Sequence, residues 1–405
     1  MKHTTFIKLL FLTLLMNSNQ LIASPTKQTL RVATFNVSME ALNYSPQDKS
    51  NKRKQNVSGN ELSQALNTNH QQIKNIAEII QRIDPDIILL NEFDFAEQVK
   101  PGNNNQTVTT FIEQYLNKAQ NGQKAINYPY FYRAPVNTGV KTTVDLNGDG
   151  KITLPNDSHG FGYFPGHFAM VLFSKYPIDS NAIRTFQQFK WHDMPNALRP
   201  VDPSTNQPWY NEQAWQELRL SSKSHWDIPV IVNNTRVHVL ASHPTPPVFD
   251  GPEDRNGNRN HDEIRFWHDY ITPKLSNYIY DDQQNVGGLA SNQRFVILGD
   301  QNASATEGDA KRQAIQSLLS HPNVQDAQPQ SLGAKQHKKD NPLAKHHTAY
   351  WGMRADYVLP SKFGFNIIKS GVYWPTEDSE QYRLIKDRQA SSDHRLVWVD
   401  LAFTE

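Results

Sequence analysis

Asp86-Ile87-Ile88-Leu89-Leu90-Asn91-Glu92 is the stretch on which the fold turns. Four consecutive apolar residues fit a strand buried on both faces, and the run ends on a carboxylate. Just before it, Asp84-Pro85 stops an amphipathic helix over 71–83, where Ile73, Ile76, Ala77, Ile79, Ile80 and Ile83 recur at helical spacing. Further back, Thr29-Leu30-Arg31-Val32-Ala33-Thr34-Phe35-Asn36-Val37 alternates and is rich in β-branched residues, which predicts a first strand. Strand, helix and all-apolar strand together predict a layered α/β arrangement.

Downstream, the same patterns predict helices near 108–117, 261–275 and 309–319. Strands are expected near 128–133, 168–173, 295–298, 356–359, 365–372 and 396–401. Residues 228–232 and 236–242 read as a hairpin turned at Asn233-Asn234. Between about 137 and 227 the pattern weakens into Gly-, Pro- and Trp-rich sequence, expected to be an insertion within a single domain over 28–403.

Hydrophobic residues at 37% and aromatics at 10% supply a core and exclude wholesale disorder. The 41 Lys+Arg against 40 Asp+Glu leave a net charge of +1, without the basic excess of a nonspecific nucleic-acid binder. There are no cysteines, so disulfides, thiolate nucleophiles and cysteine-based metal sites are excluded. Residues 1–23 read as an export signal: Lys2 and His3, an apolar run from Phe6 to Met16 too short to span a bilayer, and a cleavage point after Ala23. The expectation is a secreted or periplasmic protein, without stable membrane insertion and monomeric.

Polar residues recur where strands end. Asn36 follows Ala33-Thr34-Phe35, Glu92 closes Leu89-Leu90-Asn91, and His243 follows Val239-Leu240-Ala241-Ser242. Asp300 and Asn302 sit in Ile297-Leu298-Gly299-Asp300-Gln301-Asn302. Asp356 opens Asp356-Tyr357-Val358-Leu359, and Asp393-His394 lies in Ser391-Ser392-Asp393-His394-Arg395. Strand ends collect on one edge of a sheet, where a cleft forms while the strands stay buried. Each motif alone is weak, and each residue alone is more often a solvated group or a cap.

The six in this order, over nearly the whole chain from Arg31 to Leu401, resemble the endonuclease/exonuclease/phosphatase (DNase I-like) superfamily. The resemblance implies a four-layered α/β/β/α sandwich with two packed mixed β-sheets, and a metal-dependent phosphoric ester hydrolase. It implies Glu92 as metal ligand with Asn36 and Asp393 nearby, and Mg²⁺ or Mn²⁺ as the ion, which hard oxygen donors suit. His394, held by Asp356, would activate water, Asp300 would orient that water or serve the leaving group, Asn302 would bond phosphoryl oxygens, and His243 would contact the phosphate. The division of roles between Asp300 and His394 stays open.

Asp145-Leu146-Asn147-Gly148-Asp149-Gly150-Lys151-Ile152 places oxygen donors at positions 1, 3 and 5, and glycine at 6, of a calcium loop that would run through Lys151. Position 12 is Asn156 in place of the usual glutamate, so a structural Ca²⁺ and a plain Gly/Asp turn both fit. Asp254-Arg255-Asn256-Gly257-Asn258-Arg259-Asn260 has similar spacing without the charge and reads as a turn entering the 261–275 helix. Lys223, His225, Asn260, His261 and Arg265 are candidates to line the cleft and hold phosphate; for Tyr373, Trp374 and Trp351 core packing is the stronger reading.

The functional expectation is hydrolysis of phosphodiester bonds by metal- and His-assisted water attack, nuclease-like or broad. The alternatives are a phospholipid or phosphomonoester hydrolase of the same fold, or a catalytically silent secreted binding protein. Nucleic acid is one substrate among several phosphate esters.

Overall fold

The computed structural model describes Met1 and residues 29–45, 57–99 and 105–405. The export segment falls on residues 2–28, outside the described residues. Among the described residues, thirteen strands run in chain order: β1 (Thr29–Met39), β2 (Ile87–Phe93), β3 (Tyr130–Tyr132), β4 (Met170–Ser174), β5 (Arg184–Thr185), β6 (Val201–Asp202), β7 (Gln207–Pro208), β8 (His225–Val232), β9 (Thr235–Ser242), β10 (Phe295–Asp300), β11 (Asp356–Pro360), β12 (Phe365–Val372) and β13 (Val397–Phe403). The helices are α1 (Ala41–Tyr44), α2 (Glu61–Asn67), α3 (Gln71–Ile83), α4 (Gln106–Phe111), α5 (Glu212–Glu217), α6 (Arg255–Tyr270), α7 (Arg312–Ser320) and α8 (Leu332–His337).

Two large mixed sheets form, ordered β12-β13-β1-β2-β4-β3 and β11-β10-β9-β8-β5. Side-chain alternation explains how they stack. Val239 and Ala241 of β9 join the core shared with the first sheet, whereas Leu240 joins Ile264 and Trp267 of α6 and Ile315 of α7. On the far side, α3 buries Ile73, Ile76, Ala77, Ile79 and Ile80 in the core of the first sheet. Each such isoleucine contributes roughly 1.5–3 kcal/mol. The layers are therefore helix, sheet, sheet, helix.

Local chemistry sets the joints. α3 ends with Asp84 in a left-handed conformation (φ +52°), its N–H on the Ile80 carbonyl, before Pro85. The β8–β9 hairpin turns on Asn233 and Asn234, both at positive φ, as a two-residue connection requires. At Gly299 (φ +140°) a Cβ would lie 1.9 Å from the Ser242 carbonyl oxygen, so β10 can pass β9 there only as glycine. Gly299→Ala is expected to cost about 3 kcal/mol in urea unfolding, since both the backbone and the contact must yield.

Two readings are corrected. The helix expected from 261 begins at Arg255, so 254–260 is its start and not a turn. Asn256 is fixed by the Asp250 carboxylate and the Val248 carbonyl, and Arg259 by three carbonyls, and these bonds outweigh weak helix formers. The same helix stops at Tyr270, short of Pro273. The strand expected near 168–173 is β4, which lies inside the first sheet between β2 and β3. Among the described residues, no helix is long and apolar enough to cross a membrane.

Candidate active site

Topology brings the strand-end residues together. β1 and β2 are parallel, with Asn36 beside Asn91, and β9 and β10 are parallel, so Asn36, Glu92, His243 and Asp300 leave their strands at one edge. β11 runs antiparallel to β10, which places its first residue, Asp356, opposite Asp300. β13 is antiparallel to β1, so Asp393 and His394, just before it, arrive at the same edge. The backbone is bent there at a cost of about 1–3 kcal/mol per residue: Ser38 (φ +47°), Glu92 (φ +55°), Phe168 (φ +56°) and Asn302 (φ +52°) all adopt the left-handed region.

The first half of the site is a buried relay. His394 Nδ1 donates to Asp356 Oδ2 at 2.9 Å, and His394 Nε2 stands 3.5 Å from Asp300 Oδ2. Thr348 Oγ1 donates to the same Asp356 oxygen at 2.7 Å and accepts the Ala355 and Asp356 amides, so Asp356 is fixed as an acceptor. Burial would lower the His394 pKa, but Asp356 and Asp300 reverse it and push it up to about 10. Burial raises Asp300 to about 7, against the pull of His394. Asp300 Oδ1 accepts the Asn302 amide, and Oδ2 accepts Asn36 Nδ2 at 3.1 Å. Trp351 covers His394 edge-on, with centroids 4.9 Å apart.

One ligand atom each from Asp300, Asp356 and His394 lie within 4.8 Å of one another. Both ring nitrogens face carboxylates, an arrangement that can pass a proton as well as hold a cation.

The second half is a group of carboxylates lining the same cleft: Glu92, Asp393 and Glu40. Glu92 is raised by burial and by the charges of Glu40 and Asp393; Glu40 is raised by burial to about 7. Asp393 is held low because His394 and Arg388 outweigh its burial. Arg388 stands 3.7 Å from Glu40 and 3.5 Å from Asp393. Three carboxylates converging in a desolvated cleft with one arginine nearby are a donor set suited to a hard divalent cation. Asn36 is occupied at both ends, its Oδ1 accepting the Ser38 amide, and it orients Asp300.

Asn302 donates its Nδ2 to the Pro244 carbonyl, and His243 stands 3.5 Å from Asp300 Oδ2 with Nδ1 buried and without a partner among the described residues. Of the five candidates for holding phosphate, Lys223 lines the cleft and the other four do not. His225 faces the core, bonded to Ser221 and the Glu263 carbonyl and packed on Phe266 and Trp267. Asn260 ties the Thr245 and Gln301 carbonyls together inside α6. His261 pairs with Asp262, and Arg265 reaches the Pro195 carbonyl. Tyr373 and Trp374 are buried.

The 145–151 loop folds on itself. Asp145 accepts the Gly148 and Gly150 amides, Asn147 accepts that of Asp149, and Asp149 accepts that of Lys151.

Sequence reading missed Glu40, Arg388, Thr348 and His167. Tyr163 N–H donates to His167 Nδ1, so Nε2 carries the proton and donates to Glu40 Oε2 at 3.2 Å. Burial lowers His167 to about 3, which keeps it neutral. An acid four residues past Asn36 was the one available signal for Glu40. Nothing local marks the others.

A model described as "Endonuclease/Exonuclease/phosphatase family" matches residues 33–394. Among solved structures, an endonuclease/exonuclease/phosphatase from Beutenbergia cavernae is 17% identical, with 93% of this chain and 72% of that chain covered and a TM-score of 0.50. The human Nocturnin catalytic domain with bound sulfate is 12% identical (93% and 94% covered, TM-score 0.43). A beta toxin from Staphylococcus aureus is 14% identical (91% and 99%, TM-score 0.42). No curated protein matches the chain.

Proposed function

The chain belongs to the endonuclease/exonuclease/phosphatase family, and from that premise we propose that it is a metal-dependent hydrolase of phosphodiester bonds. The observation that carries this is the relay of Asp356, His394 and Asp300 facing Glu40, Glu92 and Asp393 across one cleft. A divalent cation held by Glu92, with Glu40 and Asp393, would neutralise phosphoryl charge and polarise the ester. The chain's own groups do the rest. Water gives its proton to the Asp300–His394 pair, Asp356 holds the imidazole ring, and Asn302 and His243 orient the phosphoryl oxygens.

The cleft holds about 1040 Å³, near the upper end of small-molecule sites. Its walls include Asn156, Trp209, Phe249 and Trp351, from four separate segments. That enclosure favours a small phosphoester, or a single strand, over a duplex. The decisive assay is hydrolysis of bis(4-nitrophenyl) phosphate with Mg²⁺ or Mn²⁺, beside nicking of supercoiled plasmid. Turnover of the small diester that EDTA abolishes, with little nicking, is the expected result. Silence toward diester, monoester and phospholipid alike, with either metal, would sink the enzyme reading and leave a binding protein. Export after cleavage at Ala23 belongs to the same proposal, and N-terminal sequencing of the processed chain tests it.

A further inference from the structure

We infer that Lys223 is a substrate ligand, its ammonium taking a non-bridging oxygen of the phosphate. The inference rests on the phosphoesterase reading and adds a charged contact to it.

Among the described residues, four lysine and arginine side chains line the cleft: Lys223, Arg255, Arg259 and Arg388. Three are committed. Arg255 pairs with Glu253, Arg259 is held by the carbonyls of Leu220, His159 and Arg219, and Arg388 faces Glu40 and Asp393. Lys223 is only 5% exposed, and among the described residues its ammonium has neither a hydrogen bond nor a carboxylate within ion-pair distance. Its nearest acidic influences are Glu263, Glu92 and Asp300, the last two being site residues. Glu263 is spent on the Ser222 and Thr245 amides. His243, whose charge state Lys223 influences, has its Nδ1 buried and without a partner among the described residues.

An unpaired ammonium on so nearly buried a side chain is poorly solvated and is stabilised when an anion meets it. The fold fixes the backbone from which this side chain extends. The Lys223 carbonyl accepts the Asn137 amide, and Asn137 Nδ2 donates to the Ser221 carbonyl. Ser222 N–H is fixed by Glu263. A Cβ on Gly160 would lie 2.0 Å from the Ser222 carbonyl oxygen, so the neighbouring loop is pressed against this one. Burial also lowers the lysine's pKa. A charge carried on a fixed backbone, without an internal partner, inside a cleft that would bind phosphate, is placed for an anion contact.

Lys223→Met and Lys223→Gln test this with two readouts. The first is the melting temperature of the full chain in phosphate against chloride of equal ionic strength. The native chain should rise by roughly 2 °C or more in phosphate, and both variants should lose that rise. In chloride, Lys223→Met should melt no lower than the native chain, because an unpaired buried charge is removed. The second is kcat/KM for bis(4-nitrophenyl) phosphate, expected to fall roughly 10–100-fold. A phosphate-dependent rise that persists in the variants, or is absent from the native chain, overturns the role. So does a Lys223→Met chain that melts well below the native one in chloride, which would make the lysine structural. A phosphate response that depends on Lys223 without any hydrolysis would uphold the contact and sink only the phosphoesterase reading.

Discussion

His394→Ala is expected to lower kcat for a phosphodiester by roughly 10²–10⁴-fold, the range of general acid–base contributions, with a much smaller change in KM. Removing the ring breaks the path between Asp356 and Asp300 but leaves the packing of both, because Thr348 still donates to Asp356 and Asn36 to Asp300. Far-ultraviolet circular dichroism should match that of the native chain. Asp356→Asn is the sharper companion. Thr348 and His394 both donate to one Asp356 oxygen, so the amide would turn its own oxygen to them and hold the ring in place, while the negative charge that sustains the imidazolium is lost. In a Ser-His-Asp hydrolase the equivalent exchange costs about 10⁴-fold while leaving geometry intact. A His394→Ala chain that keeps more than a tenth of native kcat would remove the imidazole from the reaction.

Glu92→Gln is expected to separate stability from activity. Glu92 is held in a left-handed backbone, among the charges of Glu40 and Asp393, and burial raises its pKa. Exchanging the carboxylate for an amide relieves that crowding, so the metal-free chain should melt at the same temperature or higher. The same change removes the central oxygen donor of the carboxylate group. Half-maximal rate should then need at least about 100-fold more Mg²⁺, beyond the usual cost of losing a group behind the ligands. Mg²⁺ should also cease to raise the melting temperature. Titrating Mg²⁺ against rate and against melting temperature in both chains measures the two effects together. Unchanged Mg²⁺ dependence would move the cation elsewhere in the cleft, and Glu40→Gln would then be the next variant to titrate.

Most of the fold was legible because its deciding signals are local. The 71–92 segment contains a helix period, a stop at Asp84-Pro85 and an all-apolar run, each readable over a few residues. The Asn233-Asn234 turn is equally local, since two consecutive residues at positive φ select asparagine or glycine. Helix α6 was misplaced at its start because Asn256, Gly257 and Asn258 are poor helix formers, and the bonds that hold the first turns come from Asp250, Val248 and the loops near Leu220 and His159.

What the sequence determined by itself is the set of strand-end groups Asn36, Glu92, His243, Asp300, Asn302, Asp356 and Asp393-His394, because a polar residue closing a buried strand is visible without neighbours. Tertiary structure alone decided which other groups join them. Glu40 enters because its helix-capping carboxylate folds back beside His167, and Arg388 because a loop over a hundred residues from Lys223 closes the opposite wall. Lys223 and His225 are two residues apart and chemically alike in the sequence, yet one opens into the cleft and the other is sealed against Phe266 and Trp267. That difference depends on where β8 begins and on what packs behind it, and the packing comes from an α-helix some forty residues further along the chain.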